Sequence, residues 1–193
     1  ILKSFIKAYI CFTKKTDPMN GKTFNIKPFI AATGLVFFAV ASRFIPHPFN
    51  FTAMGAVALF SGATYKDKRI AFTIPMLAML ASDFLLGFHP SLFPVYACFG
   101  TTVFLGRLIS STPGIISVAS LSLASSLIFF LVTNLPIWYT SLHLYPLTLT
   151  GTIESYTMAL PFFGNQVAGD FVYNALLFGS YHWLANSQKA AIA

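Results

Sequence analysis

Between residues 29 and 184 the chain is a series of long apolar runs broken by short polar clusters. The runs fall at 29–45, 51–64, 70–88, 93–109, 114–133 and 161–184. A hydrocarbon core about 30 Å thick needs roughly 20 apolar residues per crossing helix, and five of the runs approach that length. The pattern predicts an all-α, polytopic membrane protein with about six transmembrane helices. The run at 51–64 is the shortest and carries Gly55 and Gly62. It reads either as a short tilted helix or as a re-entrant piece buried in protein.

Upstream, Leu2, Phe5, Ile6, Tyr9 and Ile10 recur at helical spacing while Lys3, Lys7 and Lys14 fall on another face. That is the pattern of an amphipathic helix lying in a membrane interface. The expected organisation is a basic N-terminal extension over 1–28, a six-helix domain over 29–188 and a tail over 189–193.

Composition supports this reading. Hydrophobic residues make up 56% of the 193 and charged residues 9%, against about 25% charged in ordinary soluble domains. Mean hydropathy is +0.72. Six spans consume most of the chain, so no separate soluble domain is expected.

The net charge of +7 raises the question of nucleic acid, but the bases form no stripe interleaved with exposed aromatics. They flank the oily runs instead. Lys3, Lys7, Lys14, Lys15, Lys22 and Lys27 precede the first run; Lys66, Lys68 and Arg69 lie between the second and third; Arg107 and Lys189 follow the fourth and sixth. With six alternating spans, Arg43 alone falls on the opposite side. This asymmetry is what the positive-inside rule demands. It predicts an integral protein of a bacterial inner membrane, or of a mitochondrial inner membrane, with both termini on the cytoplasmic or matrix side.

The same topology sorts the connections. "YKDKR" and "RLISSTPG" become inner turns, and "PHPFN", "GFHPSLFP" and "TNLPIWYTSLHLYPLTLTGTIE" become outer ones. Prolines 46, 48, 90, 94, 136 and 146 stiffen the outer connections, because each fixes its own φ and biases its predecessor to extended backbone. Stiff loops can hold a pocket.

Candidate chemistry concentrates there. His47, His89 and His143 sit in three different outer loops, without the close-spaced partners a metal site needs. Hydrogen-bonding roles are expected and no metal is assigned. Asp83 and Asp170 lie within apolar runs, where a carboxylate costs on the order of 2.5–3.5 kcal/mol and so needs a partner or a watery cavity. Asp83 is expected to form or brace a pocket; the alternative is that it only caps structure, pairing with Arg43. Asn134, Trp138, Tyr139, His143 and Glu154 mix aromatic faces with hydrogen-bonding groups as ligand pockets do; Trp138 and Tyr139 also suit an aromatic belt at the headgroups.

Gly55, Ala56, Ala58, Ser61, Gly62 and Ala63 form a small-residue face suited to close helix packing. Cys11 and Cys98 fall on opposite sides and are expected to stay unpaired. A short repeat, "ASDF" at 81–84 and "AGDF" at 168–171, hints at two inverted halves. Nucleophile elbow, Walker loop, zinc-protease and paired-cysteine motifs are all missing, so the chain is not expected to be an enzyme; its cofactors are unknown from the sequence.

The stretch "RFIPHPFNFTAMGAVALFSGA", followed by "SDFLLGFHPSLFPVY", "TNLPIWY" and "ALPFFGN", resembles a family of small bacterial-type membrane proteins similar to the substrate-binding S components of energy-coupling factor (ECF) transporters. The resemblance implies six helices with both ends in the cytoplasm and a vitamin-like micronutrient bound near the outer face. By position it implies substrate-binding roles for His47, Asn50, Asp83, His89, Asn134 and Trp138, and an energising ATPase module as a partner. The first helix, "AATGLVFFAVAS", departs from the small-residue docking motif common in S components.

Two functional expectations follow. The first is a protein that binds a small organic solute at its outer face and assists its transport across the bilayer. The second is an accessory subunit of a large respiratory or photosynthetic membrane complex, with residues 1–28 as a docking arm and no transport activity.

Overall fold

The structure is a computed structural model describing residues 26–109 and 113–190, with side chains over 30–109 and 113–183. The amphipathic stretch and Cys11 lie outside the described residues. Among those described the fold is all-α, with α1 Ile26–Ser42, α2 Met54–Thr64, α3 Lys68–Leu86, α4 Leu92–Gly106 and α5 Ile115–Thr133. A 3-10 segment, Pro136–Leu142, then leads into α6, Leu149–Ala190. Helices α3 and α5 are long and apolar enough to cross a membrane; α2 and α4 are apolar but shorter.

The shortest apolar run becomes the centre of the fold. α2 packs against all five other helices, and Met54, Ala56, Val57, Ala58, Leu59, Phe60, Ser61 and Gly62 are all buried. A helix apolar around its whole circumference belongs in the interior. Its small residues are what let the neighbours close in. A Cβ added at Gly62 would overlap the Val103 carbonyl oxygen, and one added at Gly106 would overlap that of Leu59. Helices α2 and α4 therefore meet backbone to backbone, an approach that side chains at these two positions would forbid.

Helix ends follow from local chemistry. Asp67 caps α3 by accepting from the Arg69 backbone N–H at 2.8 Å, satisfying one of the orphan donors of the first turn. Gly87, at φ 100°, ends the same helix with its N–H donating to the Asp83 carbonyl at 2.8 Å. Ser42 ties α1 to α2: its Oγ donates to the Ala39 carbonyl at 2.7 Å and accepts from the Ala53 N–H at 3.0 Å. Between them, Asn50 takes a left-handed φ of 65°, a conformation asparagine tolerates better than most residues.

The expected fifth connection is shortened by the structure. α6 begins at Leu149 rather than near 161 and runs for 42 residues, about 63 Å at 1.5 Å per residue. It absorbs residues 149–160, so Glu154 lies on an exposed helix face instead of in a loop. The hydroxyls that disguised this turn as a loop bond back to helix carbonyls: Thr152 to Thr148 O at 2.9 Å and Thr157 to Ile153 O at 2.7 Å. Such back-bonding lets serine and threonine sit in a helix without leaving a polar group unpaired.

Candidate functional site

The connections after α1, α3 and α5 gather at one end of the bundle around a cavity of ≈ 920 Å³. The connections after α2 and α4 meet at the other end, where Arg107 Nη1 donates to the Tyr65 carbonyl at 3.4 Å. Among the described side chains, Lys66, Lys68, Arg69 and Arg107 belong to that second end and Arg43 to the cavity end.

The cavity wall at the first connection is set by an ion pair between a partly exposed arginine and a buried carboxylate. Arg43 Nη1 lies 2.6 Å from Asp83 Oδ1 and donates to Ser82 Oγ at 2.6 Å. Tyr96 on α4 donates its hydroxyl to Asp83 Oδ2 at 3.1 Å. Asp83 is 0% exposed, so one carboxylate straps the end of α1 to α3 and α4. A charge removed from solvent survives only when paired and hydrogen-bonded, and here both conditions are met by protein groups. Arg43 borders the cavity, whereas Asp83 stands behind it.

The end of α5 is closed by an equally complete set of contacts. Its last four carbonyls, at 130 to 133, have no partners within the helix, and each accepts from a side chain. Asn134 Nδ2 donates to Phe130 O at 2.8 Å, Tyr156 Oη to Leu131 O, Trp138 Nε1 to Val132 O at 2.7 Å, and Tyr139 Oη to Thr133 O at 2.8 Å. Trp138 also packs on Phe93, with ring centroids 6.4 Å apart. Burial pushes the Tyr139 phenol above its usual pKa, against an opposing hydrogen bond with Ser91.

Of the six residues singled out for substrate binding, His47, Asn50, His89 and Asn134 line the cavity; Asp83 and Trp138 do not. Three of the four are partly committed elsewhere: His47 Nδ1 is 2.7 Å from Pro48 O, His89 Nδ1 is 3.0 Å from Ser91 Oγ, and Asn134 Nδ2 donates to Phe130 O. His143 and Glu154 also lie off the lining.

The deeper wall comes from α5 and α6, with Phe129, Phe130, Phe162, Phe163 and Gln166 leading to Asp170. Asp170 is 4% exposed and its Oδ2 accepts from Ser126 at 2.7 Å. Further along the same helices Asn174 Nδ2 donates to Ser122 Oγ at 2.9 Å. The phenylalanines were not among the candidate site residues, although Phe162 and Phe163 lie in the quoted "ALPFFGN" and Phe129 and Phe130 sit just before Asn134.

The molecule is thus a helical bundle with an aromatic-walled cavity at the end opposite its basic turns. The chain belongs to the family of unknown function DUF6580, which matches residues 23–192. Neither a curated protein nor a solved structure matches it.

Proposed function

We propose that this chain is a membrane-embedded solute-binding protein. Its six helices cross the bilayer with the basic turns on the inner side, and its cavity opens outward to receive a small organic solute and assist its transport. The observation that carries the reading is the cavity itself. Its ≈ 920 Å³ falls within the roughly 300–1,000 Å³ of small-molecule sites, and its mixture of aromatic walls with a few convergent polar groups is the chemistry such sites use.

The exterior supports the membrane part. Phe37, Phe84, Phe93, Phe104, Ile115 and Ile116 are each at least 60% exposed. Water tolerates exposed apolar patches of only a few hundred Å² on most monomers, whereas lipid tails are their natural surroundings. The segregation of basic residues to the turns opposite the cavity supports the orientation. The resemblance to S components favours a vitamin-like micronutrient and an energising partner. In this reading His47, Asn50, His89 and Asn134 contact the solute, while Asp83 and Trp138 hold the walls in place.

The test is native mass spectrometry of protein purified in mild detergent. The expected result is a bound small-molecule mass that diminishes in His89→Ala and in Asn50→Gly, which keeps the left-handed backbone at position 50 accessible, with the melting temperature unchanged in both variants. A clean apo mass, with no stabilisation by any fraction of a metabolite extract, contradicts the reading.

A further inference from the structure

This inference rests on the solute-binding reading and specifies its ligand: we propose that the cavity selects a solute carrying a positively charged nitrogen, seated against Asp170. The charges around the cavity do not cancel. Arg43 is neutralised by Asp83 at 2.6 Å, leaving Asp170 as the carboxylate that borders the cavity. Among the described residues no cation lies within ion-pair distance of it; its partner is the neutral Ser126 hydroxyl at 2.7 Å. A carboxylate so far from water costs several kcal/mol to keep ionised and otherwise takes up a proton; a cation seated in the cavity would hold it in the charged form.

The sequence has made room for this carboxylate. A Cβ added at Gly55 of α2 would overlap Asp170 Oδ1, so the absence of a side chain there lets the oxygen lie against the central helix. The walls around it are aromatic. Phe130 and Phe163 stand 4.7 Å apart between ring centroids, and both border the cavity together with Phe129 and Phe162. Ring faces attract cations, more strongly when water is excluded. A carboxylate in a cavity walled by phenylalanines is complementary to an ammonium or iminium group attached to an apolar body. One carboxylate and one hydroxyl do not make the oxygen cage of a hard metal ion, and the cavity is far larger than an ion needs.

The test uses the full chain in detergent and a panel of aryl- and alkylammonium compounds of graded size, each paired with its alcohol and carboxylate isostere. Binding is read by equilibrium dialysis and thermal shift. Ammonium members should bind about tenfold or more tighter than either isostere, about 1.4 kcal/mol of discrimination. Asp170→Asn should erase the preference, and Ser126→Ala, which keeps the charge, should retain it. Alcohols or carboxylates binding as well as the ammonium compounds overturns the proposal while leaving the solute-binding reading intact. Failure of every panel member together with a clean apo mass ends both. The wild-type comparison decides even if Asp170→Asn does not fold.

Discussion

The two ends of the bundle are held by different physics. At the basic end, α2 and α4 touch through the backbone at Gly62 and Gly106, so the contact is steric and leaves no space. At the other end the same helices present Met54 and Gly55, and Val95 and Phe99, to a shared cavity. There cohesion passes to directional polar contacts, the Arg43–Asp83–Tyr96 strap and the side chains that cap α5. Close packing cannot hold an end that encloses a cavity. A few strong hydrogen bonds can, because they fix positions without filling volume.

That contrast has graded consequences. The largest concerns the strap. Asp83→Ala leaves the Arg43 guanidinium without its buried partner and should cost about 3 kcal/mol, the low end for a buried pair because Arg43 itself is 21% exposed, read as a fall in midpoint during detergent denaturation. Arg43→Met combined with Asp83→Leu should recover much of the loss, since replacing both charges by apolar groups is often close to neutral. A loss under 1 kcal/mol for the single variant would mean that the pair does not hold the open end.

The basic end should respond to volume instead. Gly62→Ala forces a methyl onto the Val103 carbonyl and should cost up to about 3 kcal/mol, the upper range for overpacking a rigid site. Gly164→Ala serves as its control, because a Cβ there meets nothing within 4 Å. It should be neutral or stabilise by about 0.5–1 kcal/mol through helix propensity. Equal melting temperatures for the two variants would remove the argument for backbone contact.

The smallest of the destabilising effects belongs to the cap on α5. Trp138→Phe keeps most of the ring but orphans the Val132 carbonyl, and should cost about 1 kcal/mol. Because Trp138 does not border the cavity, solute affinity should be unchanged. A drop in affinity without a drop in stability would return the indole to the ligand side.

Much of this architecture was legible in the sequence, and the parts that were not fail for identifiable reasons. Five helices lie within about three residues of their expected limits, because long apolar runs end at unambiguous polar or proline punctuation. The start of α6 was hidden by Thr148, Thr150, Thr152 and Ser155, which resemble a loop until Leu149, Ile153, Tyr156 and Leu160 are read together at helical spacing. The need of Asp83 for a partner was readable from its apolar context, and Arg43 was the natural candidate. What the sequence does not state is that the pair is complete without a ligand. Trp138 illustrates the same gap: an indole beside an asparagine in a proline-rich loop suits a pocket and a helix cap equally, and only the geometry of the α5 carbonyls separates them. Asp83 and Asp170 share a local motif, yet one faces an arginine and the other a cavity, because their surroundings come from residues distant in sequence.

The central claim is that the cavity mouth and the basic turns face opposite sides of a membrane. The most direct measurement places single cysteines at His47 and Lys66, in a background lacking Cys11 and Cys98, and treats sealed, oriented vesicles with a membrane-impermeant maleimide. Labelling at one position only, with the other reacting after the vesicles are opened, is the result the account predicts. Both positions labelled from the same side of intact vesicles would contradict it.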